Sequence, residues 1–186
     1  MNNLARSWAP VRAGFLIAVL GLLGLAVAPG ARAAEPGRAP ALCTLDFHDT
    51  ASPGWLMTPS QGTAHQIGTM TCIGAVDGKQ LAGGPGHFEA RYSYGPSDVP
   101  VGGNTCALAA GSGTWQADLP TIGGSALALT GPWSWTGNTA GELHGQLGGH
   151  AVEMVWEARP EPDHLDEDCV TKPASHFRVM AHGTVG

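Results

Sequence analysis

Residues 87–94 read HFEARYSY, and in them Phe88, Ala90, Tyr92 and Tyr94 alternate with His87, Glu89, Arg91 and Ser93. A side-chain period of two belongs to a strand with one buried and one solvated face. The same alternation recurs on both sides of this stretch. Cys43, Leu45 and Phe47 alternate with Thr44, Asp46 and His48, and Trp115, Ala117 and Leu119 with Thr114, Gln116 and Asp118. Val152, Met154 and Trp156 alternate with Glu153, Val155 and Glu157, and Phe177, Val179 and Ala181 with His176, Arg178, Met180 and His182. Residues 69–76, 126–130, 132–136 and 142–147 are shorter candidates, which brings the reading to roughly nine strands. Between the runs stand Asp77-Gly78, Gly83-Gly84, Gly103-Asn104, Gly123-Gly124, Gly137-Asn138 and Gly148-Gly149, pairs that allow the positive φ of tight turns. No stretch after the N-terminal segment carries an i, i+3, i+4, i+7 apolar stripe, so the fold class is all-β and antiparallel. Short, similar spacings in the second half of the chain suggest consecutive hairpins. An up-and-down meander of about eight to nine strands closes most simply as a barrel; a two-sheet β-sandwich is the alternative.

The chain opens differently. Arg6 and Arg12 precede an apolar run of 16 residues from Ala13 to Ala28, and Ala31-Arg32-Ala33 places small residues at the −3 and −1 positions of a cleavage site. That is the secretory pattern, and the run is short for a membrane span. The reading is a signal peptide over 1–33 cut before Ala34, a flexible leader over 34–40, and a single β domain over 41–186. No lipobox precedes Cys43, so no lipid anchor is expected. After cleavage no membrane span remains, and the location is secreted or extracytoplasmic.

Composition agrees. The chain is 43% hydrophobic and 13% charged, which excludes charge-driven disorder. Glycine, at 28 of 186 residues, has no Gly-X-Y period, so collagen is excluded. The formal charge of −6 argues against nucleic acid as a partner, since a phosphate backbone selects basic surfaces. Four cysteines, Cys43, Cys72, Cys106 and Cys169, all follow the signal segment. An even number in an exported chain reads as disulfides, and no C-x-x-C occurs to suggest zinc or a redox pair. Three connectivities are possible; Cys43–Cys72 with Cys106–Cys169 is preferred because it closes the first strand pair locally.

The pattern Cys43-Thr44, Thr71-Cys72-Ile73-Gly74 before Asp77-Gly78, Thr105-Cys106 before Gly111-Ser112-Gly113-Thr114, and Asp168-Cys169-Val170-Thr171 before Pro173 resembles small secreted, disulfide-bearing β-rich proteins of high-GC Gram-positive bacteria. The resemblance implies export, β-structure and disulfides. It implies no catalytic residue, because that group has no assigned activity.

Candidate chemistry is sparse. The acidic run 161–168 (EPDHLDED) could offer oxygen ligands to a metal, but it lacks the glycine turn of a calcium loop and reads as a solvated loop ahead of Cys169. His176 and His182 stand about 20 Å apart on one strand and cannot share an ion. His48 with Asp46, and His87 with Glu89, have the spacing of an exposed pair or of a tuned base. Glu153 and Glu157 lie about 13 Å apart along their strand, too far for the roughly 5–9.5 Å of glycosidase carboxylates. No metal, cofactor or catalytic set is assigned.

Trp133 and Trp135 flank Ser134 and share a face. They form either core or a ligand-binding surface, and the short Gly/Pro-bounded stretch they occupy points to a barrel rim. Three functions follow. The first is a non-catalytic domain binding a small apolar ligand within the barrel, or a glycan or envelope component on the Trp133/Trp135 face. The second is an envelope-associated structural protein, and the third a small barrel enzyme using a His/carboxylate pair. The interior decides among them: a cavity favours binding or catalysis, a filled core the structural role.

Overall fold

The computed structural model describes residues 39–99 and 103–186. The signal segment 1–33, and all of the leader except its last two residues, lie outside the described residues. The strands are β1 (Ala41–Trp55), β2 (Gly62–Ile73), β3 (Ala75–Val76), β4 (Lys79–Gln80), β5 (Pro85–Tyr94), β6 (Ala109–Leu119), β7 (Leu127–Gly137), β8 (Ala140–Leu147), β9 (His150–Pro160) and β10 (Ala174–Val185). Eight of them close an antiparallel barrel in the order β1-β2-β5-β6-β7-β8-β9-β10, with β10 returning to β1. β3 and β4 make a separate two-stranded hairpin between β2 and β5. The sandwich alternative is thereby excluded. Among the described residues no helix is long and apolar enough to cross a membrane.

Two differences from the sequence reading have plain causes. The two stretches expected over 126–130 and 132–136 merge into the single strand β7, Leu127–Gly137, whose Gly131 pairs with Trp115 of β6 and Pro132 with Thr114. Pro132 stands on the outer face of β7 at the point where pairing to β8 gives way to β6 alone, so it removes no needed ladder bond. The first half of β2, Gly62–Gly68, escapes periodicity because its inward positions are Gly62, Ala64, Gln66 and Gly68, none of them a large apolar residue.

That small-residue pattern runs right round the barrel. Trp133 has Gly113 on one neighbouring strand and Gly145 on the other; Trp135 has Gly111, Trp115 has Gly131, Trp156 has Gly141 and Phe47 has Gly68. Directly paired residues point to the same face, so each of these five aromatic side chains stands beside an inward glycine. A narrow barrel needs this alternation, because eight strands of large residues would overfill it. At Gly113 a methyl group would lie 1.9 Å from the Arg91 carbonyl oxygen. Part of the chain's glycine excess is therefore interior space rather than turns.

The two halves of the interior differ. At the end where β1 begins, Leu45, Phe47, Met70, Phe88, Trp115, Leu119, Leu147, Val152 and Val185 are fully buried and fill the barrel. Phe47 meets Phe88 at 5.2 Å, and the Cys43–Cys72 disulfide ties β1 to β2 there. At the other end gather the loops that follow β1, β5, β7 and β9. Cys106–Cys169 joins the second of these loops to the fourth, while Cys106 N–H donates to the Leu56 carbonyl and Met57 N–H to the Cys169 carbonyl, each at 2.9 Å.

Candidate functional site

Below those loops the interior is not filled. A cavity of about 170 Å³ lies among Phe47, Asp49, Trp55, Gln66, Tyr92 and Trp133, with Trp135, Leu143, Trp156, Phe177 and Val179 completing its walls and Cys106, Glu167 and Cys169 at its mouth. Each strand puts a side chain there by the same parity that builds the core. On β1 the inward series Cys43, Leu45, Phe47 continues to Asp49, and on β2 the series Ala64, Gln66 and, beyond Gly68, Met70 faces it. A register shift between Thr50 and Trp55, containing Gly54 at φ 93°, brings the end of β1 over the barrel and turns Trp55 inward.

Asp49 and Gln66 are directly paired across β1 and β2, and both are buried, at 5% and 4% exposure. Asp49 Oδ2 accepts hydrogen bonds from Gln66 Nε2 at 3.0 Å and from the Tyr92 hydroxyl at 2.8 Å. Asp49 Oδ1 and Gln66 Oε1 have no partner among the described residues. Burial pushes the Asp49 carboxyl up to about 6, against the smaller opposing pull of those two donors. Burial and the neighbouring carboxylate likewise raise Tyr92, which stays a phenol and a donor.

The walls are aromatic. Trp135 meets Trp55, Tyr92 and Trp156 edge-on at 5.9, 5.5 and 5.6 Å, and Tyr92 meets Trp133 edge-on at 5.5 Å. The indoles fall into two groups. Trp115 Nε1 donates to the Gln146 carbonyl at 2.6 Å and Trp156 Nε1 to the Glu142 carbonyl at 3.1 Å. The Nε1 groups of Trp55, Trp133 and Trp135 are buried without a partner. A buried polar group left unpaired costs about 1–3 kcal/mol, so five such atoms around one cavity are a substantial concession.

The mouth is held by the acidic run, whose carboxylates have separate duties. Glu161 Oε1 lies 2.6 Å from His48 Nδ1, and Asp166 accepts from Lys172 Nζ at 2.7 Å. Asp168 accepts from the N–H groups of Val170, Thr171 and Lys172 and from the Thr171 hydroxyl, an arrangement that holds its carboxyl well below the usual range. Glu167 turns inward. Its Oε2 accepts from Ser175 N–H at 2.7 Å and His176 N–H at 3.0 Å, while its Oε1 lies 3.0 Å from His164 Nδ1 and 2.9 Å from His176 Nδ1. Burial pushes the Glu167 carboxyl up, but these donors outweigh it and bring it down to about 2. The two imidazoles stack at 3.7 Å. His164, Glu167 and His176 bring three ligand-type atoms within 4.8 Å of one another. Their hydrogen bonds already satisfy one another and fasten the loop to β10.

The structure separates the residues that the sequence singled out. Trp133 and Trp135 are inside the barrel, at 4% and 8% exposure, and not at a rim, because β7 is continuous through them. The face they share belongs to the core and also lines the cavity. The histidine pairs lie on the outer wall: Asp46 is bound by Arg178 at 2.7 Å, and His87 stands 4.0 Å from a Glu89 that also engages His65 and Arg91. Glu153 and Glu157 point outward from β9. Sequence reading missed Asp49 and Gln66, although parity held the signal: Asp49 is a charged residue at the next core position after Phe47.

Compared with protein-family models, curated proteins and solved structures, the chain matches none.

Proposed function

We propose that this is a secreted, non-catalytic binding protein whose barrel takes a small, mostly apolar ligand into the cavity between Asp49 and the Cys106–Cys169 loops. One observation carries the reading: five buried polar atoms without partners belong to residues around a single cavity. Core atoms left unpaired weaken a protein, and such a set persists where a ligand satisfies it. The volume of about 170 Å³ suits a ligand of roughly benzene size, since an apolar cavity of about 150 Å³ takes benzene. Export is supported by the N-terminal secretory pattern and by two disulfides, which persist in oxidising compartments.

Two measurements test the role. Native mass spectrometry of the protein recovered from its own host should show a population heavier than the chain by one small molecule. Titration of the purified protein with toluene should quench or shift tryptophan emission and raise the melting temperature. Failure of both overturns the binding role.

A further inference from the structure

We infer that the cavity is built for a small organic ammonium, which donates N–H hydrogen bonds to Asp49 Oδ1 and Gln66 Oε1 while its apolar body lies among Trp55, Trp133, Trp135 and Trp156. The inference deepens the proposed binding role and rests on it. Its warrant is the kind of atom left over at the inner end of the cavity. The available donors there, Gln66 Nε2 and the Tyr92 hydroxyl, are both spent on Asp49 Oδ2. What remains on these side chains, Asp49 Oδ1 and Gln66 Oε1, can only accept, while the unpaired donors of the cavity are the indole N–H groups of Trp55, Trp133 and Trp135 in its aromatic wall. A ligand group that completes this end must therefore donate, and a protonated amine offers up to three donors from one atom.

Charge points the same way. No Lys, Arg or His side chain lines the cavity. His65 on β2, the one basic side chain that draws the Asp49 carboxyl down electrostatically, stands on the outer wall and engages Glu89, as does Arg91 on β5. Glu167 at the mouth has two imidazoles beside it, whereas the hydrogen-bond partners of Asp49 at the inner end, Gln66 and Tyr92, are both neutral. With its carboxyl pushed up to about 6, Asp49 is mostly ionised at pH 7, so a bound cation supplies the counter-charge that the protein withholds.

Other ligand classes fit less well. A carboxylate or phosphate would be repelled by Asp49. A hydrocarbon would leave both acceptors unpaired.

The test uses three probes of matched shape at pH 7.5: benzylammonium, benzyl alcohol and toluene, titrated calorimetrically into the full mature protein. Benzylammonium should bind at least about tenfold more tightly than either neutral probe, the worth of one charge-assisted hydrogen bond. Asp49→Asn, which keeps an acceptor toward Gln66 and Tyr92, should erase that preference. Toluene binding equal to or tighter than benzylammonium binding overturns the ammonium assignment and leaves the binding role standing. A preference that survives in Asp49→Asn overturns the placement of the head group at Asp49. No binding by any of the three overturns both readings.

Discussion

Asp49 shows what one side chain costs when the protein does not neutralise it. Its carboxyl stands at about 6 in the folded chain against an ordinary 3.8. The native state thus holds this proton more tightly than the unfolded chain does, and the stability so gained is complete below about pH 4 and lost as pH rises through about 6. The difference across that window is about 3 kcal/mol. Asp49→Asn should therefore melt roughly 6–12 °C higher than the wild type at pH 7.5, and the gap should close as the pH is lowered to 4. Differential scanning calorimetry at the two pH values checks this, and equal melting temperatures at pH 7.5 would contradict it. A residue whose removal strengthens the fold is being kept for something other than the fold. At this scale the sequence was partly legible. Inward parity reached Phe47 and stopped, because a reader of hydrophobic alternation ends a strand at the first polar residue. Asp49 and Gln66 violate the pattern for the same reason that they mark the site.

Strands and loops carry the next level. An inward glycine beside Phe47, Trp115, Trp133, Trp135 and Trp156 is a packing pattern that spans neighbouring strands, so no single strand's sequence displays it. Gly113→Val should cost about 1–3 kcal/mol by overpacking, because its Cβ would lie 1.9 Å from the Arg91 carbonyl oxygen. Ser112→Val, one position away on the outer face, should stay within about 0.5 kcal/mol of wild type. Urea midpoints of the two variants make the comparison, and similar losses in both would place the constraint in β-propensity and not in the interior. The loop 161–173 gives a second case. Glu167 has its carboxyl lowered to about 2 from an ordinary 4.5, so the stability that its charge provides is present above about pH 4.5 and lost as pH falls through about 2. Glu167→Gln should expose the backbone amides of Ser175 and His176 to faster hydrogen exchange at pH 6, with the contrast to wild type vanishing near pH 2. Unchanged exchange at pH 6 would remove Glu167 from the role of latch. Sequence alone read this run as a charged, solvated loop ahead of Cys169. That held for Asp166 and Asp168, but not for Glu167, whose partners Ser175 and His176 lie on the following strand.

At the scale of the molecule, strand order was legible and interior volume was not. Hairpin-length connections force neighbours in sequence to be neighbours in the barrel, whereas a cavity depends on the summed side-chain volumes of eight strands. The two disulfides serve different ends of the result: Cys43–Cys72 lies within the filled half, and Cys106–Cys169 ties the loops over the cavity. The pairing of β1 with β10, from Ala41 against Val185 to Thr50 against His176, also sets a timetable. A ribosome finishes β1 first and β10 last, so the seam stays open until the final dozen residues are available. Long-range closure of this kind makes for slow folding, and until then β1 and β9 both present bare edges on which a second copy could nucleate. The remedy is written in the same seam. Gly186 lies against Pro40, so a permuted gene that links Gly186 to Pro40 and opens between Gly148 and Gly149 would make β9, β10, β1 and β2 in succession. Such a permutant should reach the same barrel faster and with less aggregate than the natural order, as stopped-flow fluorescence and light scattering during refolding would record.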